Sequence, residues 1–301
     1  MRIAVTGLAG QVVQSLVERG PAAGHVILPV GRPALDLAGG DGAAIRAALA
    51  AVRPEAIVSA AAYTAVDKAE SEPDLAFAVN AAGAGHVAQA AAALGVPLVH
   101  LSTDYVFSGE GTRAWREDDP TGPKGVYGAS KLAGEQAVLA AQPNSAVLRT
   151  AWVYSPFGAN FVKTMLRLAA SRDTLGVVAD QVGNPTSALD IADGVMQVAQ
   201  NLADRPTDES LRGLFHMTGS GETSWAGFAE AIFAASAGLG GPSAQVHPIA
   251  TSDYPTPAAR PVNSRLDCAK LAAAHGVRLP DWRLSLAGVV ARLERQQEEA
   301  R

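Results

Sequence analysis

The sequence predicts an α/β fold: a Rossmann-like, doubly wound parallel sheet with a smaller C-terminal substrate-binding domain. Short apolar runs rich in β-branched residues alternate with alanine-rich helical stretches through residues 1–150. That rhythm belongs to a parallel sheet with helices on both faces. The runs are apolar almost throughout, as strands buried on both faces must be. A glycine-containing turn also joins the first strand to the first helix, where such sheets bind dinucleotides.

Taken in order, Arg2–Thr6 reads as a buried strand, Gln11–Arg19 as a helix and His25–Val30 as the second strand. A helix over Ala43–Val52 leads to a strand at Ala56–Ser59. A long helix over Leu75–Leu94 precedes the strand Leu98–Ser102, and a helix over Val126–Ala141 precedes the strand Ala146–Thr150. Beyond Trp152 the alternation loosens. Helices are expected at Phe161–Ala170, Asp190–Leu202 and Trp225–Ala237, with a strand near Leu214–Met217 that returns to the sheet. Pro255, Pro257 and Pro261 break regular structure around them. Residues 1–150 therefore read as a dinucleotide-binding domain and residues 151–301 as mainly substrate-binding.

Composition removes several classes of function. The 301 residues suffice for about two domains. With 48% hydrophobic and 18% charged residues the chain has ample core and no signature of disorder. Its net charge of −5 argues against nucleic acid as a partner. Cys268 is the one cysteine, which rules out an intrachain disulfide, and the six histidines never stand at metal-ligand spacing, so no metal site is expected. No apolar run reaches membrane-spanning length, and the opening MRIAVTGLAG lacks the order of a signal peptide, so a soluble, cytoplasmic protein is expected.

Gly7-Leu-Ala-Gly10-Gln11 closes the first strand and opens the first helix. Glycines let a pyrophosphate approach the backbone, and free N–H groups at the helix start attract anions. The third glycine of the usual pattern is replaced by Val13, so an ordinary tight turn is the competing reading. The second strand ends in Val30-Gly31-Arg32 rather than in the acid that grips an adenosine ribose. Arg32 suits a ribose 2′-phosphate, which favours NADPH and leaves NADH possible; otherwise it is a solvated loop charge.

Tyr127 and Lys131 stand four residues apart on one helix face, and Thr103 ends the fourth strand. Reducing a ketone requires a proton donor. A tyrosine is a weak one, with an ordinary pKa of about 10, and a neighbouring ammonium favours its phenolate. Thr103 is placed to hold the carbonyl oxygen. In that order along the chain, these residues point to a carbonyl reductase.

The same residues resemble the extended short-chain dehydrogenase/reductase family and, within it, the dTDP-4-dehydrorhamnose reductases. The resemblance runs through Ala61-Ala-Tyr-Thr-Ala-Val-Asp-Lys-Ala-Glu70, Ser102-Thr-Asp-Tyr-Val-Phe107 and Tyr127-Gly-Ala-Ser-Lys-Leu-Ala-Gly-Glu135. It continues in Arg149-Thr-Ala-Trp-Val-Tyr154, Asp180-Gln-Val-Gly-Asn-Pro-Thr186, Tyr254-Pro-Thr-Pro-Ala258 and Arg260-Pro-Val-Asn-Ser264. It implies Thr103, Tyr127 and Lys131 as the catalytic set, with Tyr127 and Lys131 also against the cofactor, where Lys131 orients the nicotinamide ribose. It implies Gly7, Gly10, Gln11 and Val12 at the pyrophosphate, Asp36 and Leu37 at the adenosine, and Ala60, Ala61, Ala62, Tyr63 and Asn80 along the cofactor. Asp104, Tyr105 and Trp152 are implied as sugar contacts, and Arg260 as the contact to a nucleotide diphosphate. Some members form a magnesium-bridged dimer; Ser15 and Leu189 stand at the ligand positions here, so a homodimer of that kind is not expected. A reductase of another nucleotide-linked keto sugar, or a reductase-like regulatory subunit, stays open. Tyr105 stands where a dehydratase would carry a glutamate.

Overall fold

The computed structural model describes residues 1–39 and 41–299. Six strands form the main sheet: β1 (Arg2–Thr6), β2 (Val26–Val30), β3 (Ala56–Ser59), β4 (Leu98–Thr103), β5 (Ser145–Thr150) and β6 (Gly213–His216). They lie in the order β6-β5-β4-β3-β1-β2, every pair parallel. The order reverses between β1 and β3, which opens a crevice beyond their carboxyl ends. Thr6 closes the floor of that crevice: its Oγ1 accepts from the N–H groups of Ala60 and Ala61, each at 3.0 Å.

Alternation along each strand sends apolar side chains to both faces. Ile3, Val5, Val58, Val99 and Leu148 meet Val13 and Leu16 of the first helix, Gln11–Arg19, together with Ile191, Val195 and Leu202. Ala4, Ile57, Leu98 and Val147 meet Leu49, Val87, Ala91 and Val138 on the other face. A separate core gathers Tyr154, Leu166, Leu175, Phe228, Ile232, Trp282 and Val290. The helix Ala188–Asp204 and β6 therefore bring the second half of the chain back onto the sheet, as expected.

Several elements differ from the sequence expectation. The single helix foreseen over residues 75–94 is three pieces: Pro73–Phe77, a π-helical turn at Ala78–Gly83, and Ala84–Leu94. The widened turn carries Asn80, whose amide is used by two neighbouring elements. The helices Ala269–His275 and Trp282–Glu299 and the parallel pair Thr174–Val178 with Gln245–Ile249 were not foreseen.

The outermost strands are both protected. β2 contains Pro29, which has no N–H to offer a further strand. On β6, His216 N–H donates to Glu117 Oε1 at 2.9 Å, and the Leu214 carbonyl accepts from Lys270 Nζ at 2.7 Å. Among the described residues no helix is long and apolar enough to cross a membrane.

Candidate active site

The crevice at the carboxyl ends of β1 and β3 opens into two cavities that share Gly7, Ala9, Ala61 and Ala62. One, of about 600 Å³, is lined by Arg32, Asp36, Leu37 and Tyr63. The other, of about 610 Å³, is lined by Gly10, Gln11, Val12, Ala60, Thr103, Tyr127 and Lys131. Gly7 has φ +100, a conformation that side chains rarely adopt, and a Cβ there would face Ala61 at 3.5 Å. Val13, at the third-glycine position, is 2% exposed and sits in the sheet core, so the departure costs no packing. No side chain caps the helix start at Gly10, which leaves its first N–H groups to the cavity. A bare cradle of backbone donors on the switch point fits a dinucleotide pyrophosphate.

Arg32 is exposed at the rim of the first cavity, beside Asp36, whose Oδ1 accepts from Ala38 N–H at 3.0 Å. Gln11 is committed as a side chain: its Oε1 accepts from Ser155 Oγ at 2.8 Å and from Asn160 Nδ2 at 3.1 Å. It joins the glycine turn to the segment beyond Trp152. Asn80 does not face either cavity. Its Oδ1 accepts from Tyr63 N–H at 2.8 Å, and its Nδ2 donates to the Tyr63 carbonyl and to Ser130 Oγ. The expected cofactor contact is thus a brace that ties the loop after β3 to the helix Val126–Ala141.

Thr103, Tyr127 and Lys131 meet on one wall of the second cavity. Lys131 is 3% exposed and its Nζ donates to the Leu101 carbonyl at 2.6 Å. Burial pulls its pKa down to about 8, against the pull of Glu135. Burial pushes the Tyr127 phenol up to about 12; the Thr103 hydroxyl opposes this, and the charge of Asp104 adds to it. The expectation that Lys131 draws Tyr127 towards neutrality is therefore corrected. Burial of the phenol, with the charge of Asp104, decides the direction, and Tyr127 keeps its proton at neutral pH. Tyr105 packs edge-on against the Tyr127 ring, centroids 5.4 Å apart.

Asp104 lies beside this set, 3% exposed. Thr103 Oγ1 donates to its Oδ1 at 3.0 Å, while Oδ2 has no partner among the described residues. Burial raises its pKa to about 6, with Ser264 and Thr103 near the carboxylate opposing the rise. A third cavity of about 520 Å³ continues the cleft, sharing Tyr105 and Trp152 and adding Arg172, Gln181, Trp225 and Arg260. Trp152 holds φ +48 and stacks on Trp225 at 3.6 Å. A Cβ on Gly183 would come within 2.6 Å of its indole. Arg260 Nη2 donates to Asp67 Oδ2 at 2.6 Å.

Two contributions were not foreseen from the sequence. Trp225 backs Trp152 from 73 positions away. Glu70 Oε1 accepts from Val126 N–H at 2.9 Å and so caps the helix that carries Tyr127 and Lys131, whose N-cap, Gly125, has no side chain to do it.

Comparisons with known proteins place the chain in a family. The family model described as the RmlD substrate binding domain matches residues 1–295. A dTDP-4-dehydrorhamnose reductase of Sinorhizobium fredii is 52% identical over 291 residues, 96% of this chain and 97% of the relative. One of Streptomyces griseus is 44% identical over 283 residues, 94% and 90% of the two chains. Among solved structures, a dTDP-4-dehydrorhamnose reductase of Bacillus anthracis in complex with NADP superposes with a TM-score of 0.88 at 34% identity, covering 97% of this chain and 99% of that one.

Proposed function

The chain belongs to the RmlD family of dTDP-4-dehydrorhamnose reductases, and from that premise we infer that it reduces the C4 keto group of dTDP-4-dehydro-L-rhamnose to give dTDP-L-rhamnose, with NADPH as reductant. The observation that carries the chemistry is the convergence of Thr103, Tyr127 and Lys131 on the cavity that also contains the glycine turn.

Bound NADPH supplies a hydride to the sugar carbonyl carbon. The protein's part is to hold the substrate and to move one proton. Thr103 Oγ1, whose hydrogen goes to Asp104 Oδ1 in the ligand-free cleft, turns it to the carbonyl oxygen, where negative charge develops. Tyr127, a neutral phenol at neutral pH, releases its proton to that oxygen. Lys131 holds positive charge close to the phenolate left behind, which lowers the barrier to proton release. Gly7, Gly10, Gln11 and Val12 present backbone donors to the cofactor's pyrophosphate, with Ala60, Ala61, Ala62 and Tyr63 along its length. Arg32 favours NADPH over NADH, because a guanidinium matches a 2′-phosphate; Asp36 and Leu37 border the adenosine. Trp152 and Tyr105 wall the sugar, Asp104 accepts from its hydroxyls, and Arg260 pairs with the diphosphate.

On this reading residues 1–150 chiefly bind the dinucleotide and residues 151–301 mainly bind the nucleotide sugar. A dinucleotide reductant and a nucleotide sugar are both cytoplasmic metabolites, which places the reaction in the cytoplasm. Any homodimer uses a contact other than a magnesium bridge. Ser15 is buried with its hydroxyl donating to the Gln11 carbonyl, and neither it nor Leu189 offers a carboxylate.

The test is oxidation of NADPH and NADH against a panel of nucleotide-linked keto sugars. Turnover is expected with dTDP-4-dehydro-L-rhamnose, and preference for a different sugar replaces the assignment. Tyr127→Phe is expected to bind NADPH as the wild type does and to turn over about a hundredfold more slowly or worse; undiminished turnover removes Tyr127 as the proton donor.

A further inference from the structure

Beneath the catalytic wall lies a charged layer that proton donation by Tyr127 does not by itself require. Glu135 follows Lys131 by one helical turn, a spacing that brings an ammonium and a carboxylate within reach of each other. The two do not pair. Lys131 points to the Leu101 carbonyl, and Glu135 turns to the sheet. Its Oε1 accepts from Ser102 Oγ at 2.5 Å and Arg149 Nε at 2.8 Å, and its Oε2 accepts from Arg149 Nη2 at 2.6 Å. Ser102 and Arg149 are direct neighbours across β4 and β5. Both members of the ion pair are 2% exposed as side chains, and the Phe107 ring centre lies 4.9 Å from the guanidinium carbon. A buried ion pair is a poor source of stability compared with apolar side chains of the same size. What distinguishes this one is its place, one turn from the lysine of the cleft.

We propose that Arg149 and Glu135 are positioning residues for the reduction: Arg149 fixes the Glu135 carboxylate on the sheet, so that Lys131 keeps an unneutralised ammonium directed at the Tyr127 cleft. The proposal rests on the reductase reading of that cleft. The titratable and charged groups around Lys131 and Tyr127 are Glu135 from their own helix, His100 from β4, Asp104 and Tyr105 from the turn after β4, and Arg149 from β5. Burial and the nearby Lys131 hold His100 neutral, and neither ring nitrogen has a partner among the described residues. Asp104 acts on Tyr127. Glu135 is thus the carboxylate that supports the charge of Lys131, and Arg149 sets how closely it does so. With Arg149 removed, the freed carboxylate closes on the ammonium, and the positive charge beside the nascent phenolate is cancelled.

The experiment is a titration of ligand-free protein labelled with carbon-13 at lysine Cε, read by NMR. The chain has five lysines, so Lys131 is assigned by comparison with Lys131→Met. Glu135→Gln is expected to lower the Lys131 midpoint by about one pH unit, and Arg149→Gln to raise it by about as much. The double variant, Arg149→Gln with Glu135→Gln, is expected to match Glu135→Gln, because Arg149 acts through the carboxylate that is then absent. If Arg149→Gln does not fold, Glu135→Gln and the double variant carry the test. A Lys131 midpoint that is the same in wild type and Glu135→Gln overturns the proposal. The alkaline limb of kcat/KM, which reports groups of the free enzyme, is expected to shift in the same direction as the midpoints while the KM for NADPH stays constant. A limb that stays still while the midpoints move also overturns the proposal, and leaves the Tyr127→Phe result standing on its own.

Discussion

Asp104 shows how much one buried oxygen decides. Its carboxyl titrates near pH 6 in the folded protein, against 3.8 ordinarily, because burial penalises the charge. A folded-state pKa above the unfolded one means that the folded protein binds the extra proton between those values. The associated stability is complete below about pH 4 and is lost as the pH rises through 6. Asp104→Asn is therefore expected to raise the melting temperature at pH 7.5 and to leave it nearly unchanged at pH 4. The gain at neutral pH is at most about 3 kcal/mol. Equal shifts at both pH values contradict this account. Thr103, Tyr127 and Lys131 were legible in the sequence, because carbonyl reduction needs a donor, a cation and a polarising hydroxyl at strand and helix positions that the pattern supplies. The direction in which Tyr127 moves was not legible, since desolvation depends on walls contributed from elsewhere in the chain. The partner of Arg260 was hidden for the same reason: Asp67 is 193 residues away.

At the scale of elements, the helix Val126–Ala141 needs external support at its start. Gly125 offers no capping side chain, and the Glu70 carboxylate takes that role from another loop. Glu70→Ala is expected to destabilise the protein by about 1 kcal/mol in urea unfolding, with a lower kcat and an unaltered NADPH dissociation constant. A mutant as stable as the wild type removes Glu70 as a cap. The five strands of the first half were readable within a residue or so, because short apolar runs dominate all five and all but the edge strand β2 are buried on both faces. The helix over residues 75–94 was readable as helical, but its π-helical turn was not, because that turn answers to the bonds Asn80 makes with Tyr63 and Ser130. The pair Thr174–Val178 and Gln245–Ile249 escaped notice because each strand is short and partly exposed, and finds its partner some 70 positions off.

For the whole molecule, the ion pair between Asp67, in the short helix Val66–Ala69 after β3, and Arg260, in the proline-rich segment, ties the two halves of the chain at the third cavity. Arg260 borders the third cavity while it is paired. A charged hydrogen bond to a phosphate is worth about 1.5–3 kcal/mol, so Arg260→Ala is expected to lower kcat/KM for the nucleotide sugar by about tenfold to a hundredfold. Asp67→Asn frees the guanidinium and is expected to leave that KM unchanged or lower. Steady-state kinetics with the sugar varied at saturating NADPH separates the two; equal losses in both variants favour a structural latch over a diphosphate contact.

A protein made in quantity meets copies of itself more often than anything else, and a six-stranded parallel layer invites them to stack. Pro29 at one flank, with Glu117 and Lys270 at the other, turns that invitation down. Replacing Glu117 and Lys270 together by alanine is expected to leave turnover intact and to bring on light scattering earlier during heating. Colloidal behaviour in this enzyme then depends on residues outside the cleft, and it can be tuned without touching the chemistry.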